Sequence, residues 1–357
     1  MSDLPYWLAL ARISVLGARR IMRLLHLAGS AEKAFTLDAD RLIAAGMPPK
    51  AAAVFIEERA KIDPEQEWRQ CRDLGIEVVR ITDDGYPSLL REIYDPPALL
   101  FYRGELPQAE DMAVAVVGSR KASAYGMAAA EKISAGLAAA GVVVVSGMAR
   151  GIDTCAHLGA LTGGGRTLAV LGSGLDVCYP PENRKLYARI VQNGAVLSEF
   201  PPGTPPKPAH FPLRNRIISG LSRAVVVVEA AAKSGALITA DCALEQGREV
   251  FAVPGSVNSS MSKGCHRLLK EGAALAEDAG DILQGLGLAP AAAGEEVPAG
   301  AEGPEAAVLT ALECEPVHFD SLASLTGMSA AELHAFLVRL ELEGKIKKLP
   351  GNFFLRV

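Results

Sequence analysis

Four short turns are the parts of this sequence best suited to chemistry. Each carries glycine or serine and stands where an apolar run gives way to a helix-length segment. They are Gly118-Ser119-Arg120-Lys121, Ser146-Gly147-Met148-Ala149-Arg150-Gly151-Ile152-Asp153, Gly172-Ser173-Gly174-Leu175-Asp176, and Ala230 to Gly235. Backbone N–H groups at glycine turns and helix N-termini attract phosphate. Such turns converging on one sheet edge would form an anion-binding groove. The dinucleotide fingerprint G-x-G-x-x-G is absent, because Gly118 stands alone and Gly172-Ser173-Gly174 lacks the third glycine. No G-x-x-x-x-G-K-[ST] occurs either. These absences argue against NAD or ATP but leave a mononucleotide open; the reading expects no cofactor and no resident metal.

The second informative stretch is 200–228, which holds Lys207, Arg214, Arg216 and Arg223 and no acidic residue. Within it His210-Phe211-Pro212-Leu213-Arg214-Asn215-Arg216 is expected to precede a helix packed through Ile217, Ile218 and Leu221. Phe211 suits stacking on a base, and Arg214 and Arg120 suit phosphate, the pairing by which single strands are held without sequence readout. The competing reading puts Arg214 and Arg216 in ion pairs with Glu199 or Glu229. Smaller patterns carry less. Asp153 and His157 lie one helical turn apart and read as a structural pair at a helix start. Ser260-Met261-Ser262-Lys263 matches S-x-x-K without its companion motifs. Asp176 reads as a turn residue, although Asp176 and Glu182 would suit Mg²⁺ in a nucleotide enzyme. No catalytic constellation emerges.

The elements that must position these residues follow from apolar patterning. Six runs, 113–118, 142–147, 167–172, 195–200, 224–229 and 249–255, are nearly all apolar, as strands buried on both faces require. Helix-length segments separate them, at about 124–140, 153–162, 182–193, 237–247 and 263–272. That alternation predicts a doubly wound parallel sheet with helices on both faces. Upstream, residues 1–80 read as a small helical domain, with Gly17, Gly29 and Gly46-Met47-Pro48-Pro49 as its breaks. Residues 81–112 form a proline-rich lead-in to the sheet domain, which extends to 288. Residues 289–303, rich in Ala, Pro, Gly and Glu, read as a flexible linker. Residues 304–357 read as a winged helix: two helices, a third begun by the capping box Ser329 to Glu332, and a wing turning at Pro350-Gly351-Asn352. Its third helix carries Glu332, Glu341 and Glu343, which would face phosphate badly, whereas Lys345, Lys347 and Lys348 sit on the wing.

Composition bounds the function. The 357 residues exceed one ordinary core, half are hydrophobic, and the formal charge of −5 excludes a generally cationic surface but not a local basic groove. Six cysteines show no CxxC pair or zinc spacing, which fits reduced thiols in a cytoplasmic protein. The N-terminus is expected to carry no signal peptide, and no stretch reaches the roughly 18 apolar residues of a membrane span.

Taken in order, GSR (118–120), SGMARGIDTCAH (146–157), LGSGLDVCYPPEN (172–183), SEFPPG (198–203), FPLRNRIISGLS (211–222), VVVEA (226–230), SGALITA (234–240) and GREVFAVPG (247–255) resemble the DNA-processing protein A (DprA/Smf) family. The likeness is dense over about 113–288 and extends upstream through Tyr86-Pro87 and Asp95-Pro96-Pro97. It implies an extended Rossmann-like domain that binds single-stranded DNA, forms a homodimer and loads RecA during natural transformation, without catalysis. The N-terminal helices resemble the family's SAM-like module, and the C-terminal winged helix resembles its optional tail. Carried over position by position, the resemblance places DNA contacts at Gly118, Ser119, Arg120, Phe211, Arg214 and Asn215. Lys207 and His210 stand where the family has a basic approach to its FPxRN motif. Gly264-Cys265-His266-Arg267 departs from the G-x-N of many members. A self-association face is expected there, at His266, Leu269 and Leu275. The alternative is a nucleotide-binding or nucleotide-hydrolysing Rossmann-like enzyme, and a third reading is a duplex-DNA transcription factor acting through the winged helix.

Overall fold

The computed structural model describes residues 3–288, 304–312, 317–349 and 351–356. The expected linker 289–303 and Cys314 lie outside the described residues. Contacts divide the chain into two units, 1–291 and 292–357.

The first unit opens with six helices: α1 (Leu4–Arg12), α2 (Ala18–Ala28), α3 (Ala31–Phe35), α4 (Ala39–Ala44), α5 (Pro49–Arg59) and α6 (Pro64–Asp73). Gly29 ends α2 in the left-handed region at φ 79°, a conformation glycine adopts without a Cβ penalty. The helices do not form a core of their own. Trp7, Leu42 and Phe55 share a buried cluster with Leu99, Phe101, Tyr187 and Val196 of the sheet layer.

Strand β1 (Glu77–Arg80), the single turn α7 (Ser88–Arg91) and β2 (Leu99–Gly104) follow. Then come β3 (Ala113–Val117), α8 (Ala124–Ala139), β4 (Val143–Ser146), α9 (Ile152–Thr162), β5 (Thr167–Val170), α10 (Arg184–Gln192), β6 (Gly194–Ser198), α11 (His210–Gly220), β7 (Ala224–Val227), α12 (Gly235–Glu245), β8 (Glu249–Ala252), α13 (Lys263–Lys270), β9 (Ala274–Leu275) and α14 (Ala279–Gly285). Nine strands form one sheet in the order β1-β2-β6-β5-β4-β3-β7-β8-β9. The seven strands from β6 to β9 are parallel, as the alternation predicts. At the β6 edge the expectation needs correcting. The lead-in supplies a strand, β2, paired antiparallel to β6, and β1 pairs antiparallel to β2, so this end of the sheet is mixed.

The apolar runs are explained by burial on both faces. Ala113, Ala115 and Val117 of β3 face one core, with Val225 and Val227 of β7. Val114 and Val116 face the other, with Ala224 and Val226. The period of two persists, but both phases are apolar.

A second correction concerns 210–216. These residues do not precede a helix; they are its first two turns, since α11 begins at His210. Pro212 is compatible with that start, because the first turn needs no donor from its N–H. The motif side chains are thereby fixed on a rigid element.

The second unit contains α15 (Pro304–Ala311), β10 (Val317–His318), α16 (Phe319–Thr326), α17 (Ala330–Leu342), β11 (Ile346–Leu349) and β12 (Phe353–Arg356). The Ser329–Glu332 capping box is present, and Gly327 ends α16 at φ 66°. Three strands in the order β10-β12-β11 make a winged-helix domain around Leu322, Leu333, Leu337, Ile346 and Phe354. The short β10 adds a strand to the two-stranded wing read from sequence.

Candidate nucleic-acid interface

The sheet order reverses between β3 and β7, and ligands of open α/β sheets bind beyond the strand ends at such a point. An open cleft of about 760 Å³ lies there. Gly118, Ser119, Arg120, Phe211, Arg214 and Asn215 all line it. Six of the eight expected contact residues, from two segments just over 90 positions apart, thus share one depression.

Their roles differ from a simple nest of free amides. The Ser119 N–H donates to the Glu229 carbonyl (2.7 Å), and the Ile152 N–H donates to the Ser119 carbonyl (3.2 Å). The Lys121 N–H donates to Ser119 Oγ (3.0 Å). Ser119 is buried, and a Cβ on Gly118 would meet Ile152 Cγ1 at 2.6 Å and the Glu229 oxygen at 2.9 Å. Gly118 and Ser119 therefore lock the end of β3 onto α9 and β7. What the turn offers outward is the exposed pair Arg120 and Lys121. The buried Glu229 carboxylate accepts from the Ser123 N–H (2.8 Å) and so belongs to the α8 start rather than to an arginine.

Arg120 places its guanidinium carbon 4.7 Å from the centre of the Phe211 ring. Tyr179 is a further neighbour of Phe211, its ring centre 5.8 Å from that of Phe211 with a 37° tilt. Lys233, from the turn after β7, also lines the cleft. Among the described residues, Arg120, Lys121 and Lys233 take part in no ion pair. Sequence reasoning missed Tyr179, Lys121 and Lys233 as site residues. Each stood inside a stretch already singled out, but nothing local marked it.

Arg214 departs most from expectation. It is 3% exposed, and its Nη1 donates to the Val170 carbonyl (2.8 Å). Its guanidinium occupies the space that any side chain at Gly147 would need. Burial brings its pKa down to about 10, opposed by the attraction of Asp153. Asp153 is itself pushed upward by burial, with Arg214 drawing it back. Its carboxylate accepts from the Ala149 N–H (3.3 Å), which fits the helix-start role. Arg214 is thus a buried cation beneath the cleft. His157 does not join Asp153: its Nδ1 lies 2.7 Å from Thr167 Oγ1, whose hydroxyl donates to the Val144 carbonyl. Nδ1 therefore carries the proton, and burial lowers the pKa to about 3. Asn215 Nδ2 donates to the Gly235 carbonyl (3.3 Å), tying α11 to the start of α12.

Lys207 and His210 are not brought into this cleft. They line a separate depression of about 520 Å³ on the opposite flank of α11, together with Arg12, Glu199 and Arg216. His210 stacks on Phe200 with ring centres 4.2 Å apart, and its Nδ1 lies 3.1 Å from the Gly172 carbonyl. Arg216 fulfils the ion-pair reading, with Nη2 2.7 Å from Glu199 Oε2 and Nε 3.6 Å from Asp95. Asp176 accepts from the Gly203 N–H and holds the 201–204 turn, while Glu182 pairs with Arg150 at 2.6 Å. Ser259 to Lys263 form a helical start whose lysine donates to the Val257 carbonyl, so the S-x-x-K match has no nucleophile geometry. Among the described residues, no group of three or more His, Cys, Asp or Glu is arranged to hold a metal ion. No helix among them is long and apolar enough to cross a membrane.

At the outer edge of the sheet, His266 Nε2 lies 3.0 Å from the Gly255 carbonyl and Leu269 packs on the core. Leu275, on the edge strand β9, is half exposed.

The fold and the cleft define a Rossmann-like α/β protein with a cationic, aromatic-lined switch point. The model of DNA recombination-mediator protein A matches residues 77–287, and that of the DprA winged helix domain matches 289–352. The chain belongs to the DprA/Smf family of DNA recombination mediators. It is similar to the DNA processing protein DprA of Streptococcus pneumoniae, with 48% identity over 65% of this chain and 81% of that one. Protein Smf of Escherichia coli is 38% identical over 99% of this chain and 96% of its own. The solved structure of the S. pneumoniae protein superposes with TM-score 0.69 at 41% identity, covering 80% of this chain and 98% of that one. A structure of DNA processing protein A from Helicobacter pylori, described for its single-stranded DNA binding mode, superposes with TM-score 0.53 at 29% identity, covering 59% of this chain and 95% of that one.

Proposed function

We propose that the switch-point cleft holds single-stranded DNA without reading its sequence. The protein then acts as a non-catalytic mediator in the cytoplasm, protecting incoming strands and loading RecA during natural transformation. The observation that carries this reading is the Arg120–Phe211 pair, 4.7 Å apart, set in a cleft where Arg120, Lys121 and Lys233 have no carboxylate partner among the described residues. A cation beside an aromatic face suits a flexible polyanion whose bases are unpaired. The H. pylori relative, described by its single-strand binding mode, supports the same ligand class. A homodimer, formed through the β9 edge with His266, Leu269 and Leu275 near the contact, would set two clefts side by side.

The test is a gel shift on oligo-dT and on duplex across a salt series. Wild type should prefer oligo-dT, with a log–log salt slope of about −0.7 for each phosphate contacted. Arg120→Ala/Phe211→Ala should lose that binding, and removal of 292–357 should retain it. Unchanged binding by the double variant removes the site. Loss with the truncation moves the function to the winged helix. Release of free base from nucleoside monophosphates would favour the enzyme reading.

A further inference from the structure

We infer that the depression on the far flank of α11, between the N-terminal helices and the sheet, is a docking groove for an acidic segment of a partner protein that also carries apolar side chains. The groove is separate from the switch-point cleft, and its occupant does not depend on what that cleft binds.

The groove measures about 520 Å³, within the roughly 300–1,000 Å³ of clefts that hold ligands. Its floor is apolar. Leu16 and Ile21 come from the α1–α2 hairpin, Pro97 and Leu99 from the lead-in and β2, and Pro201 from the turn after β6. Leu213 of α11 also lines it and is 53% exposed.

The charge around this floor is one-sided. Lys207 lines the groove, and Arg20 stands on the hairpin, its Nη1 donating to the Val15 carbonyl (2.6 Å). Both are exposed, and among the described residues neither takes part in an ion pair. The carboxylates that line the groove are already held. Glu199 accepts from both Nη atoms of Arg216, at 2.9 and 2.7 Å. Asp95 lies 3.6 Å from Arg216 Nε and 3.6 Å from Arg19 Nε. Arg12 is matched in turn by Glu67 at 2.6 Å. What remains to attract a partner is positive, so an acidic chain is drawn in and a basic one repelled.

Beside Asp95, Tyr94 is 86% exposed, and the Arg19 guanidinium carbon lies 3.5 Å from its ring centre. Tyrosine and arginine next to an apolar pocket are the residue types that dominate binding energy at protein interfaces. The floor offers a nucleic acid little. Phe200, which also lines it, is stacked under His210 at 4.2 Å, and aliphatic walls give a base no ring to stack on and a phosphate no donor. Because α11 separates the groove from the switch-point cleft, both can be filled at once.

The experiment follows the fluorescence anisotropy of a short fluorescein-labelled peptide in which Asp and Leu alternate, added to the full-length protein. Two control peptides carry Ser for Leu or Lys for Asp. Wild type should bind the Asp–Leu peptide at least about tenfold more tightly than either control, the scale set by burying apolar side chains and matching charge. Lys207→Glu, Arg20→Glu and Tyr94→Ala, with folding checked by thermal melting, should each weaken that binding about fivefold. Lys207→Arg should bind as wild type does. Excess oligo-dT should leave the peptide bound, and Arg120→Ala/Phe211→Ala should hold it as wild type does. Equal binding of the three peptides by wild type, or full affinity in all three weakening variants, overturns the groove as an acidic docking site. Displacement by oligo-dT overturns it too and makes the groove part of the nucleic acid's path. The switch-point reading stands or falls separately, on its own gel shift.

Discussion

The two flanks of α11 carry similar residues to different ends. On the switch-point side, Arg120, Lys121 and Lys233 line a cleft without a carboxylate partner among the described residues, and the carboxylate that does line it, Asp153, is buried beside Arg214. On the other side, Arg216 is held by Glu199 and Asp95, and His210 lies flat on Phe200. Arg214 and Arg216 are two positions apart in one acid-free stretch, yet neither is an outward-facing charge. One is a buried strut against the β5 carbonyl of Val170 and the other an ion-pair partner. The lesson is that an acid-free segment does not make a cationic surface. Carboxylates distant in sequence decide which charges remain available.

That contrast can be broken in several ways. Arg214→Ala should have the largest effect, and it should be on stability. Emptying the slot over Gly147 while leaving Asp153 buried without its counter-charge should cost about 3 kcal/mol in chemical denaturation. A loss of affinity with stability intact would mean that Arg214 faces ligand after all. The buried contact between α9 and β5 should also be acid-sensitive. His157 is neutral when folded, with its pKa down at about 3 against 6.5 unfolded, so the unfolded chain binds the extra proton between those values. Stability from this group is complete above pH 6.5 and should fall by about 2 kcal/mol between pH 6.5 and 5. Urea melts of wild type and His157→Gln across that range should diverge, and parallel curves would contradict the burial argument. Arg120→Ala alone should weaken oligo-dT binding about tenfold and flatten the salt slope by about 0.7, with little change in stability. Arg216→Ala should do the reverse, losing about 1 kcal/mol of stability through the unpaired Glu199 while leaving affinity unaltered. Lys207→Ala should be the mildest, within about twofold on oligo-dT at any salt, as expected of one exposed charge outside the cleft. A larger drop would make the second flank part of the strand's path.

The alternation of apolar runs with helix-length segments determined the doubly wound sheet, because a strand buried on both faces has no other way to read. Three of the four glycine-bearing turns at strand ends, together with the acid-free segment, marked out most of the cleft in the sequence alone. Particular residues were not legible. Tyr179 became a cleft residue only when the turn after β5 came back over α11. Lys233 became one only because β7 lies next to β3. Lys207 and His210 were read into the site from their nearness in sequence to Phe211. A helix starting at His210 turns that ring to its other flank, where Lys207 of the preceding segment also lies, and a helix start shifted by a few residues is the kind of detail that local pattern does not fix.

The sequence by itself determined the strands β3 to β8 of the parallel core, which turns carry glycine and how much positive charge the 200–228 segment holds. Only the tertiary structure decided where that charge is usable, because ion pairing and burial depend on neighbours that the chain brings together from far apart. Glu199 silences Arg216, packing over Gly147 hides Arg214, and the reversal of strand order at β3 and β7 gathers Arg120, Phe211 and Lys233 around one opening.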